Sequence, residues 1–127
     1  MPKILIAEDE PDIQSMLAFM FEREGYTVVS AMDGDEAYEI AQTEKPDVIL
    51  MDIRMPHVDG YAATRLIKAD ATLHNIPVIF VTVRVTAADR QMGELVGGVG
   101  YVGKPFSPEE IIEEVRGALK KSMPPLA

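Results

Sequence analysis

The 127-residue chain has no cysteine and no tryptophan, and only four phenylalanines and four tyrosines. Without cysteine there is no disulfide and no thiolate metal centre, so stability must come from an ordinary buried core. A single domain of this length buries roughly two thirds of the surface its unfolded form exposes, which is enough for one. Basic residues are also scarce: twelve Lys and Arg stand against twenty-one Asp and Glu, for a formal net charge of −9. That balance disfavours direct contact with nucleic acid or with an anionic membrane, both of which demand a basic face. Long apolar runs are missing too. Only Ile4 to Ala7 separate Lys3 from Glu8, too short a run for a signal-peptide core, and no later run approaches a membrane span. A cytoplasmic, soluble protein is the expectation.

What the chain does contain is a regular alternation. Apolar runs of strand length recur as KILIA (3–7), YTVVSA (26–31), DVILM (47–51), PVIFVTV (77–83) and the weaker VGYV (99–102). The first, third and fourth are apolar almost throughout, the pattern of parallel strands covered on both faces. Amphipathic segments lie between them. The segment 11–25 places Ile13, Met16, Leu17 and Met20 on one stripe and stops at Gly25, a good helix terminator. The segment 33–45 opens with Asp33 and Glu36 at capping-box spacing, and 59–69 turns Tyr61, Leu66 and Ile67 inward. The last, 107–121, has Ser107 as cap, Pro108 at its first position and Lys120 and Lys121 where the helix dipole favours cations. The segment 86–98 is the weakest helix, because Gly93 in its interior costs about 1 kcal/mol relative to alanine. Five strands alternating with five helices predict an α/β fold, a doubly wound five-stranded parallel sheet. Most of the eight methionines fall at positions expected to face its core, where a flexible thioether packs well.

Ligands of such sheets bind at the carboxyl ends of the strands. Strand one runs into Glu8 and Asp9, strand three into Asp52, strand four into Thr82 and strand five into Lys104-Pro105. Taken singly, each is ordinary: an acidic turn, a capping aspartate, a strand threonine, a solvated lysine. Together they bring three carboxylates, a hydroxyl and an ammonium to one edge. Carboxylates about 5 Å apart repel by roughly 3 kcal/mol per pair at an effective dielectric near 20, so something must offset them. A hard divalent cation such as Mg²⁺ selects an oxygen-rich, incompletely closed site of this kind. Metal, lysine and hydroxyl around one carboxylate is an arrangement for phosphoryl transfer, with Asp52 as nucleophile.

The stretch GGVGYVGKPF (97–106) carries two decoys. Gly98, Gly100 and Gly103 spell a dinucleotide fingerprint, and Gly98, Gly103 and Lys104 the start of a P-loop. A P-loop needs Ser or Thr after the lysine, and Pro105 stands there; a dinucleotide fingerprint opens a helix after a strand, and these glycines do neither.

In ILIAEDEPDI, PDVILMDIRMPHVDG, IPVIFVT and YVGKPFSPEE, at their mutual spacings, the chain resembles the receiver domains of bacterial two-component response regulators, of the chemotaxis-regulator type. The likeness runs from Lys3 to Lys121. It implies a flavodoxin-like (βα)5 receiver domain over residues 1–121, with 122–127 as a C-terminal tail or linker stub. It implies that Asp52 is the phospho-acceptor, that Asp9 and Asp52 bind Mg²⁺ directly with Glu8 acting through water, and that the Arg54 backbone carbonyl completes the ligands. Thr82 and Lys104 would bind phosphoryl oxygens, Lys104-Pro105 would be a cis peptide, and Tyr101 would be the aromatic that changes rotamer when Thr82 moves. The implied partners are a sensor histidine kinase or phosphotransfer protein as donor and a downstream protein target or fused effector, with neither nucleic acid nor membrane contacted directly and with room for a phosphorylation-dependent dimer. Such a domain is a switch rather than a turnover enzyme, although it takes part in its own phosphorylation and dephosphorylation.

Three departures stand out. Val83 follows Thr82 where the family commonly has a small residue, which is expected to alter phosphorylation and dephosphorylation rates. The glycines of 97–103, with Gly93, replace acidic residues common before the aromatic and are expected to make residues 86–103 mobile. Glu8 replaces a common aspartate and keeps its charge. His57 and His74 fall in loops without a partner histidine and read as solvated. Two other functions compete. An aspartyl-phosphate phosphatase would carry a second acid two residues after its nucleophile, where this chain has Arg54. A degenerate receiver would act as a constitutive protein-binding module without phosphorylation.

Overall fold

The near-continuous apolar runs have a direct structural reason. In the computed structural model, which describes residues 1–55, 57–83 and 86–122, the strands form one parallel sheet sandwiched between helices. β1 (Lys3–Ala7), β2 (Thr27–Ala31), β3 (Val48–Met51), β4 (Val78–Thr82) and β5 (Gly100–Gly103) alternate with α1 (Pro11–Arg23), α2 (Gly34–Glu44), α3 (Gly60–Ala69), α4 (Ala87–Leu95) and α5 (Pro108–Ser122). The sheet order is β2-β1-β3-β4-β5 and every pairing is parallel. The expected doubly wound architecture is the one observed, with each strand within a residue or two of its sequence-based bounds.

Strand geometry sends alternate side chains to opposite faces, so a sheet covered twice needs two cores. Ile4, Ile6, Val48, Leu50, Ile79 and Val81 pack with Leu17 and Phe21 of α1 and Ile111 and Val115 of α5. The intervening Leu5, Ala7, Ile49, Met51, Val78 and Phe80 pack with Ala37, Ala41, Ala63 and Ile67 of α2 and α3. α1 ends as expected at Gly25, whose φ of +91° is open to glycine and costly to most other residues. Tyr26 is the first residue past that turn rather than part of β2, and its ring meets Phe21 edge-on at 5.1 Å.

Two helix faces differ from expectation. Met16 is 46% and Leu66 42% exposed. Each precedes by one residue, about 100° of helix rotation, the position that is actually buried, Leu17 and Ile67. The methionines also depart from expectation: Met51 and Met55 are buried, whereas Met1, Met16, Met32 and Met92 are exposed. Apolarity alone gave no reason to separate a helix's contact stripe from its flanks. Met123 and the rest of 123–127 lie outside the described residues, as does Pro56.

α4, the weakest helix on propensity, is present and well begun: Thr86 and Asp89 form a reciprocal capping box. Its Gly93 has a packing reason. A Cβ there would stand 3.1 Å from Phe80 and 3.2 Å from Tyr101, and one at Gly98 only 2.5 Å from Phe80. The helix approaches the sheet closely because these side chains are missing.

Glycines in two helices should respond oppositely to alanine. At Gly34 a Cβ would fall 2.0 Å from the Val58 carbonyl oxygen, whereas at Gly117 nothing lies within 4 Å. Gly117→Ala should raise the unfolding free energy by about 0.5–1 kcal/mol through helix propensity, and Gly34→Ala should lower it by about 2 kcal/mol or more through overpacking. Urea denaturation of both variants measures the difference; two changes of the same sign would contradict the packing described.

Candidate functional site

The chain leaves β1 for β2 on one side and β3 for β4 on the other, so the ends of the adjacent β1 and β3 frame a crevice. Glu8 and Asp9 follow β1 and Asp52 follows β3. Both loops are pinned to the sheet by their first residues: the Glu8 N–H donates to the Ala31 carbonyl and the Asp52 N–H to the Ala7 carbonyl, each at 3.0 Å. The loop after Asp52 closes tightly because Gly60 permits it. A Cβ there would lie 2.3 Å from the Asp52 carbonyl oxygen. Asp59 then starts α3 by accepting from the Ala62 N–H at 2.9 Å.

One carboxylate oxygen from each of Glu8, Asp9 and Asp52 lies within 4.8 Å of the others. Glu8, Asp52 and Thr82 are buried, at 2%, 6% and 1% exposure, and Asp9 is half-buried. The Lys104 ammonium sits 2.6 Å from Glu8 Oε1 and 3.3 Å from Asp52 Oδ2. Backbone donors hold the other oxygens: the Glu10 N–H reaches Glu8 Oε2 at 3.1 Å and the Arg54 N–H reaches Asp52 Oδ1 at 3.3 Å. Thr82 pairs in register with Gly103, and its carbonyl accepts the Lys104 N–H at 2.8 Å. The Lys104-Pro105 peptide is cis, as the resemblance implies.

Burial decides the protonation of Glu8. Loss of solvent raises its carboxyl to about 7, against the opposing hydrogen bonds from Lys104 and Glu10. For Lys104, burial disfavours the charge, but the hydrogen bond to Glu8 and the charges of Asp52 and Glu8 outweigh it and hold the ammonium above the ordinary lysine range. The donors are all oxygens, close enough for one coordination sphere, and include no nitrogen or sulfur. They fit a hard cation.

Residues 4–116 match the family model of the response regulator receiver domain. The chain belongs to that family. It is 38% identical over 119 residues to protein PilH of Pseudomonas aeruginosa, covering 94% of this chain and 98% of PilH. It is 36% identical over 120 residues to the alkaline phosphatase synthesis transcriptional regulatory protein PhoP of Bacillus subtilis, covering 94% of this chain and 49% of PhoP. The chain thus spans about half the length of several curated relatives it matches. Among solved structures it is similar to the receiver domain of sensor histidine kinase PA1611 of Pseudomonas aeruginosa, which has a magnesium ion coordinated in its active-site cleft. That likeness has a TM-score of 0.87 and 34% identity, over 94% of this chain and 98% of the other.

In this receiver domain the residues picked from strand ends lie at one end of the sheet; Lys104 contacts Glu8 and Asp52, and Asp9 stands beside them with its carboxylate within 4.8 Å of theirs. The Arg54 backbone lies against the Asp52 carboxylate through its N–H. Tyr101 is apart from the carboxylates, half-buried on the α3–α4 side. His57 and His74 are both exposed. Sequence reasoning missed the partner of Tyr101. The Tyr61 hydroxyl lies 3.1 Å from the Tyr101 hydroxyl and donates to the Asp89 carbonyl at 3.2 Å. The available signal was that a tyrosine turned inward needs a partner for its hydroxyl. No helix among the described residues is long and apolar enough to cross a membrane.

The raised Glu8 carboxyl has a stability consequence. Between its ordinary 4.5 and about 7, the folded protein holds a proton that the unfolded chain has released, so this contribution is full at low pH and is lost as pH rises toward 7. Measured in chelator, the wild type should lose up to about 3 kcal/mol relative to Glu8→Gln between pH 4.5 and pH 7.5. Parallel pH profiles for the two proteins would show that Glu8 titrates normally.

Proposed function

We propose that this receiver domain is a phosphorylation-dependent signalling switch whose acceptor is Asp52. The observation that carries this reading is the Lys104 ammonium shared between Glu8 and Asp52 at the mouth of an all-oxygen cluster. In the reaction, a carboxylate oxygen of Asp52 attacks the phosphorus of a phosphohistidine on a sensor kinase or phosphotransfer protein. The new O–P bond forms as the P–N bond breaks, and the imidazole leaves with its electron pair and takes up a proton. Lys104, already 3.3 Å from Asp52, meets the incoming phosphoryl oxygens, and the Thr82 hydroxyl donates to another. Asp9, Asp52 and the Arg54 carbonyl would hold a Mg²⁺ ion, with Glu8 acting through a water, and the ion would supply further positive charge at the site. Engagement of Glu8 by Lys104 at 2.6 Å supports that indirect role. The Mg²⁺-bound cleft of the PA1611 receiver supports the choice of metal.

The output is assigned to the α4–β5–α5 face. Met92, Leu95 and Val99 are exposed there by 39%, 77% and 59%, apolar surface that suits a protein partner, a fused effector or a second copy after phosphorylation. We read residues 1–121 as the receiver proper and 122–127 as tail or linker, of which 123–127 lie outside the described residues.

Incubation with Mg²⁺ and acetyl phosphate should give a single phosphoryl adduct by intact mass, absent from Asp52→Asn and from a chelated sample. No adduct, where another receiver is labelled in parallel, would replace the switch with a constitutive binding module. Val83, 58% exposed directly after Thr82, should limit the approach of water to the acyl phosphate. Val83→Ala should therefore shorten the phosphoryl lifetime severalfold, and an unchanged lifetime would remove Val83 from the account.

A further inference from the structure

Tyr101 sits in a cage drawn from three elements. Its ring lies 5.9 Å from that of Phe80, which in turn meets Tyr61 of α3 edge-on at 5.2 Å. The Arg90 guanidinium of α4 lies over the Tyr101 ring at 5.7 Å. The cage closes only because Gly93 and Gly98 leave room for Phe80 and Tyr101.

The hydroxyls settle their own direction. A carbonyl can only accept, so the Tyr61 O–H donates to Asp89 in the first turn of α4. The Tyr61 oxygen must then accept from the Tyr101 O–H. The result is a directed chain from β5 through α3 to α4. Burial, then this hydrogen bond, push the Tyr101 phenol above the ordinary tyrosine range.

We propose that Tyr61 is a latch: its hydroxyl ties the inward rotamer of Tyr101 to the seating of α4, so that ring and helix move as one unit. The functional meaning of this latch, control of the α4–β5–α5 output face, rests on the reading given above. The latch itself does not. Tyr61 acts through Tyr101 and Asp89 and is a positioning residue. Its two bonds make it the hub, since removing its oxygen frees both ends whereas removing that of Tyr101 frees one.

Hydrogen exchange of the α4 amides, compared with those of α1, tests this. Phenylalanine keeps each ring and deletes only the oxygen. Tyr61→Phe should speed exchange across 90–96 by about five- to tenfold and leave α1 unchanged, as expected for lost hydrogen bonds. Tyr101→Phe should have a smaller effect, and the double variant should match Tyr61→Phe alone. Unchanged α4 exchange in Tyr61→Phe, equal acceleration in α1, or additive effects in the double variant would each overturn the latch. The same series in an Asp52→Asn background should give the same differences. Absence of a phosphoryl adduct on the wild type would overturn the switch reading while leaving this comparison readable.

Discussion

A single ammonium group, Lys104, sets the electrostatic terms for the acidic crevice. Buried carboxylates without a counter-charge are costly, and Glu8 and Asp52 are nearly fully enclosed. Lys104 touches both, yet one cation cannot neutralise three acids, and the cluster keeps an excess of negative charge. Burial, which Lys104 only partly offsets, raises the carboxyl of Glu8, with the Asp52 charge adding in the same direction. The excess of negative charge gives the site an affinity for positive charge. A cation and a phosphoryl group arriving together would bring both the missing charge and an acceptor for Lys104.

The placement of these groups follows from the sheet. Parallel strands end at one edge, and the sheet order β2-β1-β3-β4-β5 makes β1 and β3 neighbours although more than forty residues separate Glu8 from Asp52. That Glu8 and Asp52 share one edge was legible in the sequence, since fully apolar runs announce doubly covered strands and each ended in a chemically distinctive residue. Phe80 shows the other side of the same geometry. It lies two residues before Thr82, faces the α4 side of the sheet, and is overlaid by the glycine segment.

What was not legible came from relations that composition does not encode. Met16 and Leu66 look as apolar as Leu17 and Ile67, and only the angle at which a helix meets the sheet separates them. Gly93 reads as a weak point on helix propensity, a local quantity. Its reason is tertiary: rings from β4 and β5 occupy the volume its side chain would fill. The hydroxyl contact of Tyr61 with Tyr101 joins residues forty positions apart and leaves no periodic trace.

These two kinds of information bear on different parts of the protein. The acidic site depends on charge, and charged residues at strand ends are conspicuous in a sequence. The seating of α4 against the sheet depends on shape, on where side chains are missing and which hydroxyls meet. Glycines that lower the intrinsic order of α4 also allow it to sit against an aromatic cage, so local propensity and tertiary packing act on the same helix with opposite sign. A helix held in that way depends on a few specific contacts more than on its own backbone preference.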